Sequence, residues 1–121
     1  MSAPDDLTRM QHMRDACRAG LRVADGKTRE SLESDETTVL ALCRAIEIIG
    51  EAGSKVSKST REAYPQIPWA EIVAMHNRLI HAYFDVDLDQ VWNAVTEDIP
   101  PLIAQLEAIL PPETGDNSGS V

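Results

Sequence analysis

Apolar residues recur every three or four positions along most of this chain, the spacing that places side chains on one face of an α-helix. A predicted second helix, capped by Ser34 or Asp35, has the most regular apolar face, formed by Val39, Leu42, Cys43, Ile46, Ile49, Gly50 and Gly53. The sequence contains neither the alternating pattern of strands nor an internal repeat. It therefore predicts an all-α protein, an antiparallel bundle of four or five helices.

The final apolar stripe keeps its register across Pro100-Pro101, although a proline inside a helix costs roughly 3 kcal/mol. We therefore expect two nearly collinear segments, with a break near residues 96–98 and Asp98 as the cap of the second. The first segment should begin at Asp87, because Asp87 and Gln90 have the spacing of a capping box. The stripe consists of Leu88, Val91, Trp92, Val95, Ile99, Leu102, Ile103, Leu106, Ile109 and Leu110.

The 121 residues are predicted to form one domain over residues 1–112, followed by a disordered tail at 113–121 that is rich in Gly, Ser, Asn and Asp. The first helix should carry Leu7 at the start of its inner face and stop at Gly26. A polar loop over residues 27–33 should then lead to the second helix.

The net charge of −9 and the pI of about 4.6 argue against non-specific binding to nucleic acid, which depends on neutralising phosphates. Any RNA contact should be confined to a local basic cleft, and a basic partner would suit the acidic surface. The sequence lacks a signal-peptide pattern and an apolar run of the roughly 18 residues that cross a bilayer. We expect a cytoplasmic protein in which Cys17 and Cys43 are reduced and unreactive.

Residues 75–84 contain two of the 3 histidines and one of the 2 tyrosines in the chain. Their polar members are His76, Asn77, Arg78, His81 and Tyr83. Histidine exchanges a proton near neutral pH, and a cationic or hydrogen-bonding neighbour can hold a phosphate. This combination suits metal-independent cleavage of RNA, for which we expect neither a cofactor nor a metal.

Helix geometry limits how these five side chains can meet, because each residue advances about 100° around the axis. Measured from His81, Asn77 lies about 40° away and Arg78 about 60° away on the other side. His76 and Tyr83 lie about 140° and 160° away, so one straight helix cannot direct all five into one pocket. Either the helix unwinds after His81, or a second subunit completes the site.

Three stretches of the chain resemble the HepT toxins of the HEPN superfamily of helical ribonuclease domains. They are Glu47-Ile48-Ile49-Gly50-Glu51-Ala52, Ile67-Pro68-Trp69, and the continuous segment from Asn77 to Asp87 followed by Val91-Trp92. The family motif is an arginine, four residues, a histidine, one residue and a tyrosine.

The resemblance implies a role for each matching residue: His81 is the catalytic histidine, Asn77 the polar residue that follows the motif arginine, and Tyr83 the motif tyrosine. It further implies a homodimer with the site at the subunit cleft, and an RNA substrate, either tRNA or mRNA. The implied partner is an MntA-like minimal nucleotidyltransferase, the antitoxin that attaches AMP to that tyrosine.

The motif arginine is replaced by His76 in this chain. Arginine grips phosphate with two parallel hydrogen bonds and is always charged, whereas histidine is shorter and mostly neutral at pH 7. One interpretation is that Arg78 carries part of this role and the chain cleaves RNA. The alternative is a catalytically impaired chain that serves only as the binding partner and AMP acceptor of the nucleotidyltransferase.

Overall fold

A computed structural model describes residues 4–81 and 87–111, with side chains described for residues 5–77 and 87–111. The described residues form helices and contain no strand, so the predicted all-α bundle is confirmed. The elements are α1 Pro4–Ala24, a 3₁₀ helix Glu30–Ser34, α2 Glu36–Ser54, α3 Lys58–Ala63, α4 Trp69–His81, α5 Leu88–Asn93, a π-helical turn Ala94–Asp98, and α6 Ile99–Ile109. The predicted tail at 113–121 lies outside the described residues.

Helix α2 lies at the centre of the bundle, packed against α1 on one side and α4 on another, while α6 packs against α1. Its inner face contains Leu42, Ile46 and Ile49, all fully buried. Cys17 and Cys43 are both free thiols. Burial, with a smaller contribution from the nearby Glu107 carboxylate, raises the pKa of Cys17 to about 12, so this thiol is unreactive as expected.

Two of the predicted caps are confirmed. The Asp35 carboxylate accepts hydrogen bonds from the backbone N–H of Thr38 at 3.1 Å and from its hydroxyl at 2.7 Å, and α2 begins at the next residue. The Asp87 carboxylate accepts from the backbone N–H of Gln90 at 3.2 Å and starts α5. Both helices begin at these positions because an aspartate carboxylate accepts a hydrogen bond from the backbone N–H three residues ahead.

The break expected near residues 96–98 is present as a π-helical turn rather than an interruption, and helical backbone continues from Leu88 to Ile109. Pro100 and Pro101 cannot donate hydrogen bonds to the preceding turn, and their rings would collide with its carbonyl groups. Widening that turn by one residue relieves both problems.

The prediction that Asp98 caps α6 was wrong in its chemistry. Asp98 occupies the N-cap position, but its side chain makes no cap hydrogen bond. An N-cap carboxylate accepts from the second or third amide of the helix, and in α6 these positions are Pro100 and Pro101, which have no N–H.

Two expectations for the first third of the chain were also wrong. Leu7 is 44% exposed, and Asp6, only 2% exposed, takes its place on the inner face of α1. The Asp6 carboxylate accepts hydrogen bonds from the backbone and hydroxyl of Ser57 and from the hydroxyl of Thr60, which fastens α3 to α1. Residues 27–33, predicted to be a polar loop, contain most of the 3₁₀ helix. Leu32 of this helix is buried in the core.

Candidate functional site

The candidate site lies at the carboxyl end of α4, which is an unbroken helix from Trp69 to His81. Asn77 and His81 are four positions apart, so they follow one another on the same face of this helix. Ala70, Ala74 and Asn77 are exposed along that face. The backbone of α4 is helical through His81, so Asn77 and His81 occupy the same face of this helix.

The structure does not describe every residue of the predicted site. The helical backbone of Arg78 and His81 is described, but their side chains are not, and Tyr83 lies outside the described residues. The expected unwinding of the helix after His81 also falls in the undescribed segment at 82–86. Their proposed chemical roles therefore remain predictions.

His76 faces a different direction from Asn77 and packs against α2. A Cβ built on Gly50 would lie 2.1 Å from the Cβ of His76 and 2.6 Å from its Cγ. Only a glycine at position 50 allows the two helices to approach this closely. His76 is half-buried at this helix crossing, whereas Asn77 is exposed. His76 and Asn77 therefore lie on separate faces of α4, as expected for consecutive residues that are about 100° apart around a helix.

A groove of about 460 Å³ separates α4 from the π-helical turn and α6. Ile72 and Met75 form part of its apolar wall, and Glu71 and Asp98 supply carboxylates. A smaller cavity of about 200 Å³ shares Met75 and Asp98 with it. Ala74, which belongs to the exposed stripe that includes Asn77, also lines this groove. The sequence assigned Asp98 only to a cap, because nothing in its local pattern shows that α4 lies opposite.

A second groove, of about 510 Å³, lies between α1 and α2 and was not predicted. Arg9 and His12 of α1 face Arg44 of α2 and Lys55, the residue that follows α2, across it. Arg9 and His12 lie beside the apolar stripe of α1, and Arg44 lies beside that of α2. A helical projection would therefore have placed these residues near the edge of the predicted core. Which edge of α1 meets which edge of α2 could not be read from either helix alone.

Among the described residues, no group of three or more His, Cys, Asp or Glu side chains could hold a metal ion. Across the same stretches of chain, no helix has the length and apolar character to cross a membrane.

Comparison with known proteins identifies the family. The family described as "Ribonuclease HepT-like" matches residues 8–109. A protein named "Probable ribonuclease HepT" from Thermococcus cleftensis is 42% identical over 80 residues, which cover 66% of this chain and 73% of that protein. A protein named "Putative RNase" from Caldanaerobacter subterraneus is 34% identical over 104 residues, covering 86% of this chain and 93% of that protein.

A further protein named "Putative RNase", from Methanocaldococcus jannaschii, is 42% identical over 69 residues, which cover 57% of this chain and 63% of that protein. No solved structure matches this chain. The matched region begins in α1 and ends at the last residue of α6, so it contains nearly the whole described bundle. The chain therefore belongs to the HepT-like ribonuclease family.

Proposed function

We propose that this chain is a metal-independent endoribonuclease, the toxin of a bacterial toxin–antitoxin pair, that acts on tRNA or mRNA in the cytoplasm. The observation that carries the proposal is the family match over residues 8–109. The helical backbone of α4, which puts Asn77 and His81 on one face, and the exposure of Asn77 on that face support it.

In the proposed reaction, the RNA 2′-hydroxyl attacks the adjacent phosphate, and the bond to the 5′-oxygen of the next nucleotide breaks. His81 takes the proton from the hydroxyl or delivers one to the leaving oxygen, and Asn77 helps to orient the phosphate. A cation stabilises the extra negative charge of the transition state. Arg78 suits this role better than His76, because it lies about 60° from His81 around the helix whereas His76 lies about 140° away.

A homodimer is the proposed assembly, with Asn77 and His81 of both subunits lining one cleft. The exposed face of α4 supports this arrangement, because Ala70 and Ala74 precede Asn77 on it and would permit close approach of a second helix. A two-fold axis along this face would bring two copies of the Asn77–His81 pair together.

The proposed partner is an MntA-like nucleotidyltransferase that transfers AMP to Tyr83. Each AMP adds a negative phosphodiester and a bulky base close to His81 in sequence. These additions would repel RNA phosphates and fill the cleft, which would inactivate the toxin without unfolding it.

The second candidate is a chain that binds the partner and accepts AMP but does not cleave RNA. The position of His76 favours it: the residue in place of the motif arginine is half-buried against Gly50. An imidazole held at a helix crossing is a poor substitute for a guanidinium group that reaches a phosphate.

The test is incubation of the purified chain with total tRNA and with an mRNA in the presence of EDTA. We expect fragments ending in a 2′,3′-cyclic phosphate, and we expect His81→Ala to produce none. A wild-type chain that leaves both RNAs intact at the protein concentrations where it binds its partner would favour the second candidate. Growth arrest on expression, absent for His81→Ala, would provide independent support for the first.

A further inference from the structure

We propose that the groove between α1 and α2 binds the phosphate backbone of single-stranded RNA, at a site separate from His81. The groove has a volume of about 510 Å³, and Arg9, His12, Arg44 and Lys55 line it. Three of the 11 lysine and arginine residues in the chain therefore face one cavity, in a protein with net charge −9.

The two cavities beside α4 carry acidic rather than basic side chains. The described walls of the grooves beside α4 contain the carboxylates of Glu71 and Asp98 and the amides of glutamine and asparagine residues, but no lysine or arginine. A polyanion would be repelled from those walls. Among the described cavities, the groove between α1 and α2 is therefore the one whose electrostatics suit RNA.

The cations of this groove are held only loosely by neighbouring carboxylates. Arg44 pairs with Glu47 at 3.3 Å, and Lys55 pairs with Glu51 at 3.6 Å. Ion pairs at the surface between residues three or four positions apart contribute little to stability. Phosphates can therefore displace these carboxylates at little cost. Asp5 and Glu51, which also line the groove, limit how many phosphates it can accept.

Cations elsewhere are used to join elements of the fold. Arg18 donates to Glu107 at 2.8 Å and so links α1 to α6, and Arg29 donates to Asp89 at 2.5 Å and links the 3₁₀ region to α5. In the groove, the Arg9 guanidinium donates to the backbone carbonyl of Lys55 at 3.4 Å. The positive charge of Arg9 also helps to lower the pKa of the nearby Asp6 carboxylate.

The position of the groove suits a strand that also reaches α4. Glu51 lines the groove, and its neighbour Gly50 contacts His76 on the other side of α2. At Gly53 of α2, an added Cβ would lie 3.3 Å from Ile72 of α4 and 3.4 Å from Met13 of α1. Helices α1 and α4 therefore both approach α2 at this point.

The inference rests on the proposed function only for the choice of RNA as ligand, and its test does not require cleavage. We would titrate the protein into a 2′-O-methyl RNA of about 12 nucleotides, which cannot be cut because the attacking hydroxyl is blocked. The groove variant is Arg44→Gln/Lys55→Gln. The control variant is Arg22→Gln/Lys58→Gln, which removes the same two charges from exposed positions outside the groove.

We expect the groove variant to bind at least about tenfold more weakly than the wild type at 50 mM KCl. The slope of log K against log salt concentration should become less steep by about 1.4, roughly 0.7 for each of two lost phosphate contacts. The control variant should bind within about twofold of the wild type. Equal weakening of both variants would mean that only total charge matters and would overturn the proposal. Unchanged binding by the groove variant, or no binding by the wild type, would also overturn it.

Cleavage assays separate this proposal from the proposed function. His81→Ala should bind the 2′-O-methyl RNA as the wild type does but cut no RNA. If the wild type cuts no RNA, yet binding still depends on Arg44 and Lys55, the groove stands and the proposed catalysis fails. If cleavage of a long RNA is the same in the groove variant and the wild type at substrate concentrations below KM, catalysis stands and the groove proposal fails.

Discussion

Replacement of Gly50 by alanine should destabilise the bundle, because the added Cβ would clash with His76 where α2 and α4 cross. The added Cβ would lie 2.1 Å from the Cβ of His76, about 1.5 Å closer than carbon atoms pack. The obstructing atom is attached directly to the α4 backbone, so rotation of the imidazole cannot relieve the clash. Overpacking costs about 1–3 kcal/mol, and alanine returns roughly 0.5–1 kcal/mol in helix propensity. Because the 2.1 Å approach is severe, the cost should lie near the upper end of that range, and we expect a net loss near 2 kcal/mol.

Matched variants distinguish this clash from a general effect of replacing helical glycines. A Cβ on Gly20 would lie 3.4 Å from Ile99 and 3.5 Å from Ala45, which is ordinary contact or nearly so. Gly20→Ala should therefore be neutral or stabilising by up to about 1 kcal/mol. In the Gly50→Ala background, His76→Gly removes the obstructing Cβ and should recover stability, whereas His76→Ala keeps that atom and should not.

Urea and thermal denaturation followed by circular dichroism measure the effect. For a chain of this size, about 2 kcal/mol corresponds to a fall in Tm of roughly 6–12 °C. The Gly50–His76 pair should show a coupling free energy of about 1–2 kcal/mol in a double-mutant cycle with His76→Gly. A Gly50→Ala protein as stable as the wild type, or one rescued equally by His76→Ala, would refute the close crossing of α2 and α4.

Four further predictions concern pH, catalysis, modification and assembly. Hydrogen bonds from Ser57 and Thr60 lower the pKa of Asp6. The stability that they provide is therefore present above the unfolded-state pKa of about 3.9 and is lost as the pH falls through the lower folded-state value. Asp6→Asn should reduce this loss of stability in acid, measured by urea titrations at several pH values. If the rest of the site is intact, His76→Arg should raise the rate of RNA cleavage at least tenfold, since a transition-state charge contact is worth about 3 kcal/mol; equal rates would mean that another cation already fills the role. Co-expression with the nucleotidyltransferase should add mass in AMP units to Tyr83, and Tyr83→Phe should prevent it; an adduct mapped to another residue by mass spectrometry would contradict the assignment. Light scattering at micromolar concentration should give the mass of a dimer, and a monomer would exclude a site shared between subunits.

Local chemistry made the order and boundaries of several elements predictable. Asp35 and Asp87 were identified as helix starts because a capping carboxylate reaches amides only three residues away. The shared face of Asn77 and His81 follows from the fixed rotation per residue of any α-helix. An irregularity before Pro100 was expected because proline acts on the turn that precedes it, but the structure has a π-helical turn there and not the predicted break.

Only the tertiary structure decided which faces of separate helices meet. The contact of His76 with Gly50 joins residues far apart in the chain, as does the burial of Asp6 against Ser57 and Thr60. The hydrogen bond from Arg9 to the Lys55 carbonyl across the basic groove also joins residues far apart in the chain. Periodicity defines the apolar side of each helix, but the rotation and depth at which two helices pack depend on the side chains of both. The sequence therefore determined the helices and the face of α4 that carries His81, while helix packing determined the surroundings of His76 and the basic groove.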